Sequence, residues 1–203
     1  MAFIFVGSAG FVVGYLADLL SIRRIPVLRA GCWLLAFALI SYSLFAVSVN
    51  SSKFWLPGWI TIAGWVVLPI SSLLLAYSLF VELPLIKTYA GTKGPPEIVT
   101  SGTYALVRHP TALWDFLILA SLILASRSNL LLVATPIWVT LDLLWVLLQE
   151  KSLLSLSHNS YYSYQKNTPF LLPTLNSIKS FLGSPLAFRS PVAYQEDVHV
   201  SRD

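Results

Sequence analysis

Arg108 and His109 stand side by side immediately before Pro110 and a long apolar stretch. Arginine pairs with carboxylates and phosphates, and histidine can take up or release a proton near neutral pH. Charged side chains at the edge of an apolar segment are costly to desolvate, so this pair indicates a functional role. A second explanation stays open, because Arg and His at a helix end can also extend to the lipid headgroups without doing chemistry.

The elements that position this pair are predicted to lie in a membrane. The chain is 56% hydrophobic and 11% charged, whereas about a quarter of the residues in a soluble domain are charged. The runs 30–52 and 54–81 contain no charged residue, and each exceeds the roughly 20 residues that cross a bilayer. The sequence therefore predicts an all-α fold, a polytopic membrane helical bundle.

Five apolar segments are predicted to cross the membrane, namely 1–20, 30–49, 60–81, 111–126 and 130–148. The fourth segment is short for a full crossing unless its helix starts near Val107. We expect residues 1–173 to form one membrane domain, with the sequence motifs in 97–173, and residues 174–203 to form a polar C-terminal tail.

The basic residues are distributed unevenly between the two ends of these segments. If the segments alternate in direction, only Lys53 and Arg127 of the 13 Lys and Arg residues fall on the outer side. Loops rich in Lys and Arg stay in the cytoplasm, so we expect the N-terminus outside and the C-terminus in the cytoplasm. The Arg108–His109 loop and the segment after Glu150 would then share the cytoplasmic side. The net charge of +4 reflects this distribution, and we expect no nucleic-acid partner.

From about residue 97 to residue 173 the chain resembles the membrane-embedded isoprenylcysteine carboxyl methyltransferases and phospholipid methyltransferases. Their pattern is Gly-x-Tyr-x-x-x-Arg-His-Pro, two helices, an acidic pair, Tyr-x-x-Tyr and a Pro-bounded apolar end. The residues of this chain that follow the pattern are Gly102, Tyr104, Arg108, His109, Pro110, Gln149, Glu150, Tyr161, Tyr164, Pro169 and Pro173. The two tyrosines of the closing motif are also typical of anchors at the membrane interface.

The resemblance implies S-adenosylmethionine as the cofactor, held in a cytoplasmic pocket, and methyl transfer to a lipophilic acceptor. That acceptor would be a prenyl-cysteine carboxylate or a lipid headgroup, so the partners are lipophilic substrates and membrane lipids. By position, the cofactor-binding residues are Ile98, Val99, Tyr104, His109, Pro110 and Glu150, and the catalytic residues are Arg108 and Glu150. No metal site is predicted, because the three histidines lack the spacing of metal ligands.

Four positions depart from the family pattern. Ala112 and Trp114 stand where an aromatic residue and a glycine are common, and Gln149 replaces the first acid of the pair. Trp145 stands where the isoprenylcysteine enzymes have an Arg that meets the substrate carboxylate. A tryptophan cannot neutralise a carboxylate, so the pattern favours a lipid amine, thiol or hydroxyl acceptor over a prenyl-cysteine.

Two carboxylates, Asp115 and Asp142, lie within predicted spans, where an ionisable residue is a functional hypothesis by default. Asp115 can instead stabilise the positive end of its helix dipole, and Asp142 is either site-facing or a structural hydrogen-bonding group. Sterol reductases also resemble this region and have an acid at the position of Asp115, so an NADPH-dependent reductase stays open. The four departures from the family pattern leave a third hypothesis open, a non-catalytic membrane protein of the same fold.

Overall fold

The computed structural model describes residues 1–22, 26–83, 99–152 and 158–183. Within these ranges the chain is helical and contains no β-strand, which confirms the all-α membrane bundle. The α-helices are α1 (Ala2–Ile22), α2 (Pro26–Val49), α3 (Gly58–Tyr77), α4 (Thr103–Leu106), α5 (Pro110–Ser126), α6 (Asn129–Ser152), α7 (His158–Asn167) and α8 (Leu175–Gly183). A single π-helical turn, Ser78–Glu82, continues α3.

Four of the described helices are long and apolar enough to cross a membrane, with spans Ala2–Leu20, Val27–Val49, Gly58–Glu82 and Asn129–Lys151. The remaining expected span, the fourth in the sequence, corresponds to α5, which has 17 residues, or about 25 Å at 1.5 Å per residue. That length is below the roughly 30 Å of a hydrocarbon core. The helix cannot start at Val107 as the longer alternative required, because Val107 is extended (φ −148°, ψ 156°).

The bundle core lies where α1, α2, α5 and α6 meet. Trp138 of α6 is buried at its centre, and its Nε1–H donates to the carbonyl of Ile4, 3.3 Å away. Val47, Leu119 and Leu131 pack in the same cluster. The opposite faces of α2 and α3 expose large apolar side chains, as expected of surfaces that contact lipid.

At one end of the bundle, the α2–α3 loop is interlocked with the α5–α6 turn. The N–H of Phe54 donates to the carbonyl of Arg127 at 2.9 Å, and the Ser128 hydroxyl donates to the carbonyl of Val47 at 2.7 Å. Arg127 ends α5 in the left-handed conformation (φ 54°). The backbones of Lys53 and Ser128 form an isolated antiparallel β-bridge at the same end. Because α5 begins at Pro110, Arg108 and His109 lie at the other end of the bundle.

Helices α3 and α5 approach closely at Gly64. A Cβ atom at this position would lie 2.6 Å from the backbone nitrogen of Ala125 and 2.8 Å from the carbonyl oxygen of Ser121. These neighbours are backbone atoms of a helix and cannot move aside without shifting α5. Gly64 therefore sets the distance between the two helices.

We expect Gly64→Ala to destabilise the protein by about 1–3 kcal/mol, because it overpacks this contact. Gly31→Ala is the matched control, since a Cβ at Gly31 of α2 meets nothing within 4 Å. Thermal unfolding in detergent micelles would measure both. Equal melting temperatures for the two variants would contradict the close α3–α5 packing.

Candidate functional site

The sequence His109-Pro110 determines how α5 begins. A residue before proline avoids helical backbone angles, and proline itself is favoured at the first helical position. His109 accordingly has φ −125° and ψ 69°, and its side chain makes no capping hydrogen bond to the helix. Its carbonyl still accepts the N–H of Leu113 at 3.3 Å. The imidazole ring is therefore available for contacts outside α5.

Glu150, in the last turns of α6, supplies that contact. His109 Nε2 lies 2.8 Å from Glu150 Oε1, and Arg108 Nη1 lies 3.5 Å from the same oxygen. All three side chains are largely buried. An ionised carboxylate is only an acceptor, so Oε1 receives two neighbouring donors from a segment 41 residues earlier in the chain. The carboxylate also lies at the N-terminal end of α5, where the helix dipole favours negative charge.

Arg108 keeps one donor unused. Its Nε atom is buried and has no hydrogen-bond partner in the part of the chain that the structure describes. Its backbone N–H donates to the carbonyl of Pro169 at 2.9 Å, which fixes the main chain beside the site. A buried guanidinium nitrogen without an acceptor is costly, and it is suited to receive an anionic group of a ligand.

Phe170 covers the Arg108–His109 pair. Its ring centroid lies 5.2 Å from that of His109, edge to face, and the Arg108 Cζ lies 5.4 Å from the same centroid. Phe170 belongs to the closing segment, residues 164–172. Tyr164 of α7 attaches this segment to the loop, because its hydroxyl donates to the carbonyl of Tyr104 at 2.7 Å. Tyr164 is buried, so its role is to attach the closing segment to the loop rather than to anchor at the interface. The side chain of Tyr161 lies outside the described residues.

A directed chain of hydrogen bonds holds the loop before the site. Trp114 Nε1–H donates to Ser78 Oγ at 2.9 Å, and the Ser78 and Thr103 hydroxyls are 2.9 Å apart. The Thr103 hydroxyl then donates to the Glu82 carboxylate, and the Thr103 N–H donates to Glu82 Oε1 at 2.7 Å. Every member of the chain has a partner, which is the condition under which a buried polar network stabilises a fold.

Gly102 makes this arrangement sterically feasible. Its φ of 63° with ψ −134° lies in a region that only glycine adopts readily. A Cβ atom at this position would also collide with the Glu82 carboxylate. The glycine of the Gly-x-Tyr motif is thus required by the backbone and by the approach of Glu82.

Tyr104 is half-buried and follows Thr103 of this network. Burial and the nearby Glu82 carboxylate raise the pKa of the Tyr104 phenol well above its ordinary value. The phenol therefore stays neutral at physiological pH and cannot act there as a base. The structure thus relates Tyr104 to Glu82 through the charge of the Glu82 carboxylate.

The structure thus brings together three of the predicted site residues, Arg108, His109 and Glu150, in direct contact. Pro110 lies fully buried at the first position of α5 and acts on the backbone. Val99 is half-buried near the start of its described segment, and Ile98 lies outside the described residues.

The intramembrane acids are placed away from this contact. Asp115 lies on α5 and Asp142 on α6, and their carboxyl groups are close enough to interact electrostatically. Asp142 precedes Glu150 by eight residues, which is about 12 Å along a helix. The pair therefore lies deeper in the bundle than the Arg108–His109–Glu150 contact.

The four departures from the family pattern have structural roles. Trp114 donates to Ser78, as described, and Ala112 is buried in α5. Trp145 Nε1 and Gln149 Nε2 both donate to Oδ2 of Asp18 in α1, at 2.7 and 2.6 Å. Neither Trp145 nor Gln149 uses its polar group at the Glu150 site.

A comparison with known protein families identifies the family of this chain. The family model for phospholipid methyltransferases matches residues 59–160, half of the chain, and this range contains α3, α5, α6 and the Arg108–His109–Glu150 contact. The chain belongs to the phospholipid methyltransferase family. The match confirms the resemblance seen in the motifs and identifies a membrane protein of a methyltransferase family. Helices α1 and α2 precede the matched range. No curated protein and no solved structure shows a significant match to the chain.

The motifs of this phospholipid methyltransferase family member do not predict the contacts of Glu82, Phe170 and Asp18. Glu82 and Asp18 were visible as acids next to or within apolar segments, which is a signal for a buried partner. No pattern in the sequence indicates that Phe170 stacks on His109.

We expect Glu82→Ala to lower the free energy of unfolding by about 1–3 kcal/mol, because it leaves the buried Thr103 N–H and hydroxyl without an acceptor. Glu82→Gln keeps an amide oxygen that can accept the Thr103 N–H and is the matched control. Denaturant titration in micelles would measure stability, and hydrogen exchange at Thr103 would report the local bond. Slow exchange at Thr103 in Glu82→Ala would rule out this role for the carboxylate.

Proposed function

We propose that this protein is an S-adenosylmethionine-dependent methyltransferase that acts on a lipophilic acceptor, with its site at Arg108, His109 and Glu150. The observation that carries the proposal is the 2.8 Å contact between His109 and Glu150, together with Arg108 at 3.5 Å. This contact joins the loop motif to the end of α6, as one small-molecule site shared by both segments requires. Membership of the phospholipid methyltransferase family supports the reaction type.

The residues present fit the cofactor. S-Adenosylmethionine carries a carboxylate, an ammonium group and a sulfonium cation. The unpartnered Nε of Arg108 offers a buried donor for a carboxylate, and Glu150 offers a negative charge for a cation. Ile98, Val99, Tyr104 and Pro110 are the further residues that we assign to the cofactor pocket by their positions in the motif.

When bound, the cofactor supplies an electrophilic methyl group, so the protein must chiefly align acceptor and methyl carbon. Arg108 and Glu150 are the residues to which we assign catalysis, through orientation and charge. Phe170 lies over Arg108 and His109 and would keep water from the site, which strengthens these charge interactions.

The surroundings of Trp145 favour a lipid headgroup over a prenyl-cysteine as the acceptor. Trp145 packs against Trp33, with ring centroids 5.5 Å apart, and donates to Asp18. Its side chain is therefore committed to α1 and α2, and no cation replaces the Arg that would meet a prenyl-cysteine carboxylate at this position. A lipid amine or hydroxyl needs no such cation.

The ends of the bundle suggest its orientation. Lys53 and Arg127 lie together at the interlocked end, whereas the Arg108 site lies at the other. We propose that the site end faces the cytoplasm and that the N-terminus lies outside, as the distribution of basic residues predicts.

Isothermal titration calorimetry on purified protein in nanodiscs tests the cofactor assignment. We expect the wild type to bind S-adenosylmethionine and His109→Ala to weaken binding at least tenfold, about 1.4 kcal/mol. Lys53→Ala, at the interlocked end, should bind as the wild type does. Titration with NADPH serves as the test of the reductase alternative.

Binding of NADPH without binding of S-adenosylmethionine would replace the methyltransferase with a reductase. Binding of neither molecule by a folded protein would favour a non-catalytic role. Equal affinity of His109→Ala and the wild type would show that the cofactor lies elsewhere.

Incubation with lipid extracts and methyl-labelled S-adenosylmethionine tests the acceptor. We expect the label in a lipid headgroup, and none in a farnesylated cysteine peptide supplied in parallel, because no cation at position 145 meets its carboxylate. Glu150→Gln protein is the control for site-dependent transfer. Labelling of the peptide as efficiently as lipid would contradict the acceptor class.

A further inference from the structure

We propose that Asp18 of α1 is a positioning residue for Glu150, so that a helix outside the matched family range completes the site. The inference rests on the proposed function, because its readout is cofactor affinity. Asp18 is fully buried, and its Oδ2 accepts hydrogen bonds from Trp145 Nε1 at 2.7 Å and from Gln149 Nε2 at 2.6 Å.

The position of Asp18 makes a purely stabilising role unfavourable. A carboxylate within an apolar, membrane-spanning helix is costly to desolvate. Its Oδ1 is buried and accepts no hydrogen bond from the described residues. Well-packed apolar side chains are often at least as stable as a buried charged group. The carboxylate does fix the orientation of α6 relative to α1, because two α6 side chains donate hydrogen bonds to one of its oxygens.

That geometry determines where Glu150 points. Consecutive side chains on an α-helix are separated by about 100° around the axis, so directing Gln149 toward α1 turns Glu150 toward a different neighbour. The structure shows that this neighbour is His109 at the start of α5. The contact lies two residues before Ser152, the last residue of α6 that the structure describes.

Trp145 adds a second point of attachment one turn earlier. Its ring packs tilted against Trp33 and edge to face against Phe11, with centroids 5.5 and 6.4 Å apart. A Cβ at Gly14 would collide with the same ring, so α1 is shaped to receive it. With Trp145 and Gln149 both held by Asp18, the rotation of the last turns of α6 is fixed by α1.

A double-mutant cycle tests whether Asp18 acts through Glu150. We expect Gln149→Met, which removes the donor at similar volume, and Asp18→Ala each to weaken S-adenosylmethionine binding about tenfold. Asp18→Asn retains an oxygen that can accept both bonds and should restore most of the affinity. In the Glu150→Gln background, Asp18→Ala should cause little further loss, because residues that act as a unit are not additive.

Ser43→Ala is the control for a general loss of stability. The Ser43 hydroxyl donates to the carbonyl of Phe3 in the α1–α2 pair, remote from the site, so this variant should lower the melting temperature without changing cofactor affinity. If Asp18→Ala does not fold, Gln149→Met provides the same cycle.

The outcomes separate the two proposals. If the wild type does not bind S-adenosylmethionine, the proposed function fails. If the wild type binds S-adenosylmethionine and Gln149→Met binds it equally well, the positioning role of Asp18 is refuted and the proposed function stands. The same holds if the affinity losses of Asp18→Ala and Glu150→Gln add in the variant that carries both.

Discussion

One carboxylate oxygen, Oε1 of Glu150, holds the functional end of this protein together. It receives the imidazole of His109 and the guanidinium of Arg108, which come from the start of α5. In water such a contact would be weak, but here the three side chains are largely buried at the end of a membrane bundle. A buried ion pair repays its desolvation only when its geometry is accurate. The rest of the structure can be understood as the means of maintaining that geometry.

Two polar networks serve this purpose on the two sides of the contact. On the α5 side, the chain from Trp114 through Ser78 and Thr103 to Glu82 fixes the loop that leads to Arg108. On the α6 side, Asp18 fixes Trp145 and Gln149. Each network connects a helix of the site to an apolar helix that carries no site residue. Bundle packing alone, which is apolar, would leave the rotation of these helices less defined.

The sequence was sufficient to predict the class of fold and the principal contact. Long uncharged runs indicated the membrane helices, and the motif around Arg108 and His109 indicated a partner at the end of α6. The apolar runs and the Arg108–His109 motif are local features of one chain. The partner at the end of α6, 41 residues from His109, was predicted from the family resemblance.

The supporting contacts could not be predicted in the same way. Asp18 and Gln149 are 131 residues apart, and no periodicity relates them. Trp114, Trp145 and Gln149 departed from the family pattern and suggested lost chemistry, whereas each of them has a partner in a network specific to this chain. The shorter α5 follows from the extended Val107, a consequence of how α4 and the His109-Pro110 step are held. Such choices depend on tertiary packing rather than on local sequence.

Hydrogen–deuterium exchange with and without S-adenosylhomocysteine would test most directly that the loop motif and the end of α6 form one site. Exchange reports local opening of individual segments. We expect the ligand to slow exchange together in residues 99–110, in residues 146–152 and in the closing segment 164–172, and to leave 120–135 unchanged. Protection of 120–135, or of the loop without the end of α6, would contradict a shared site.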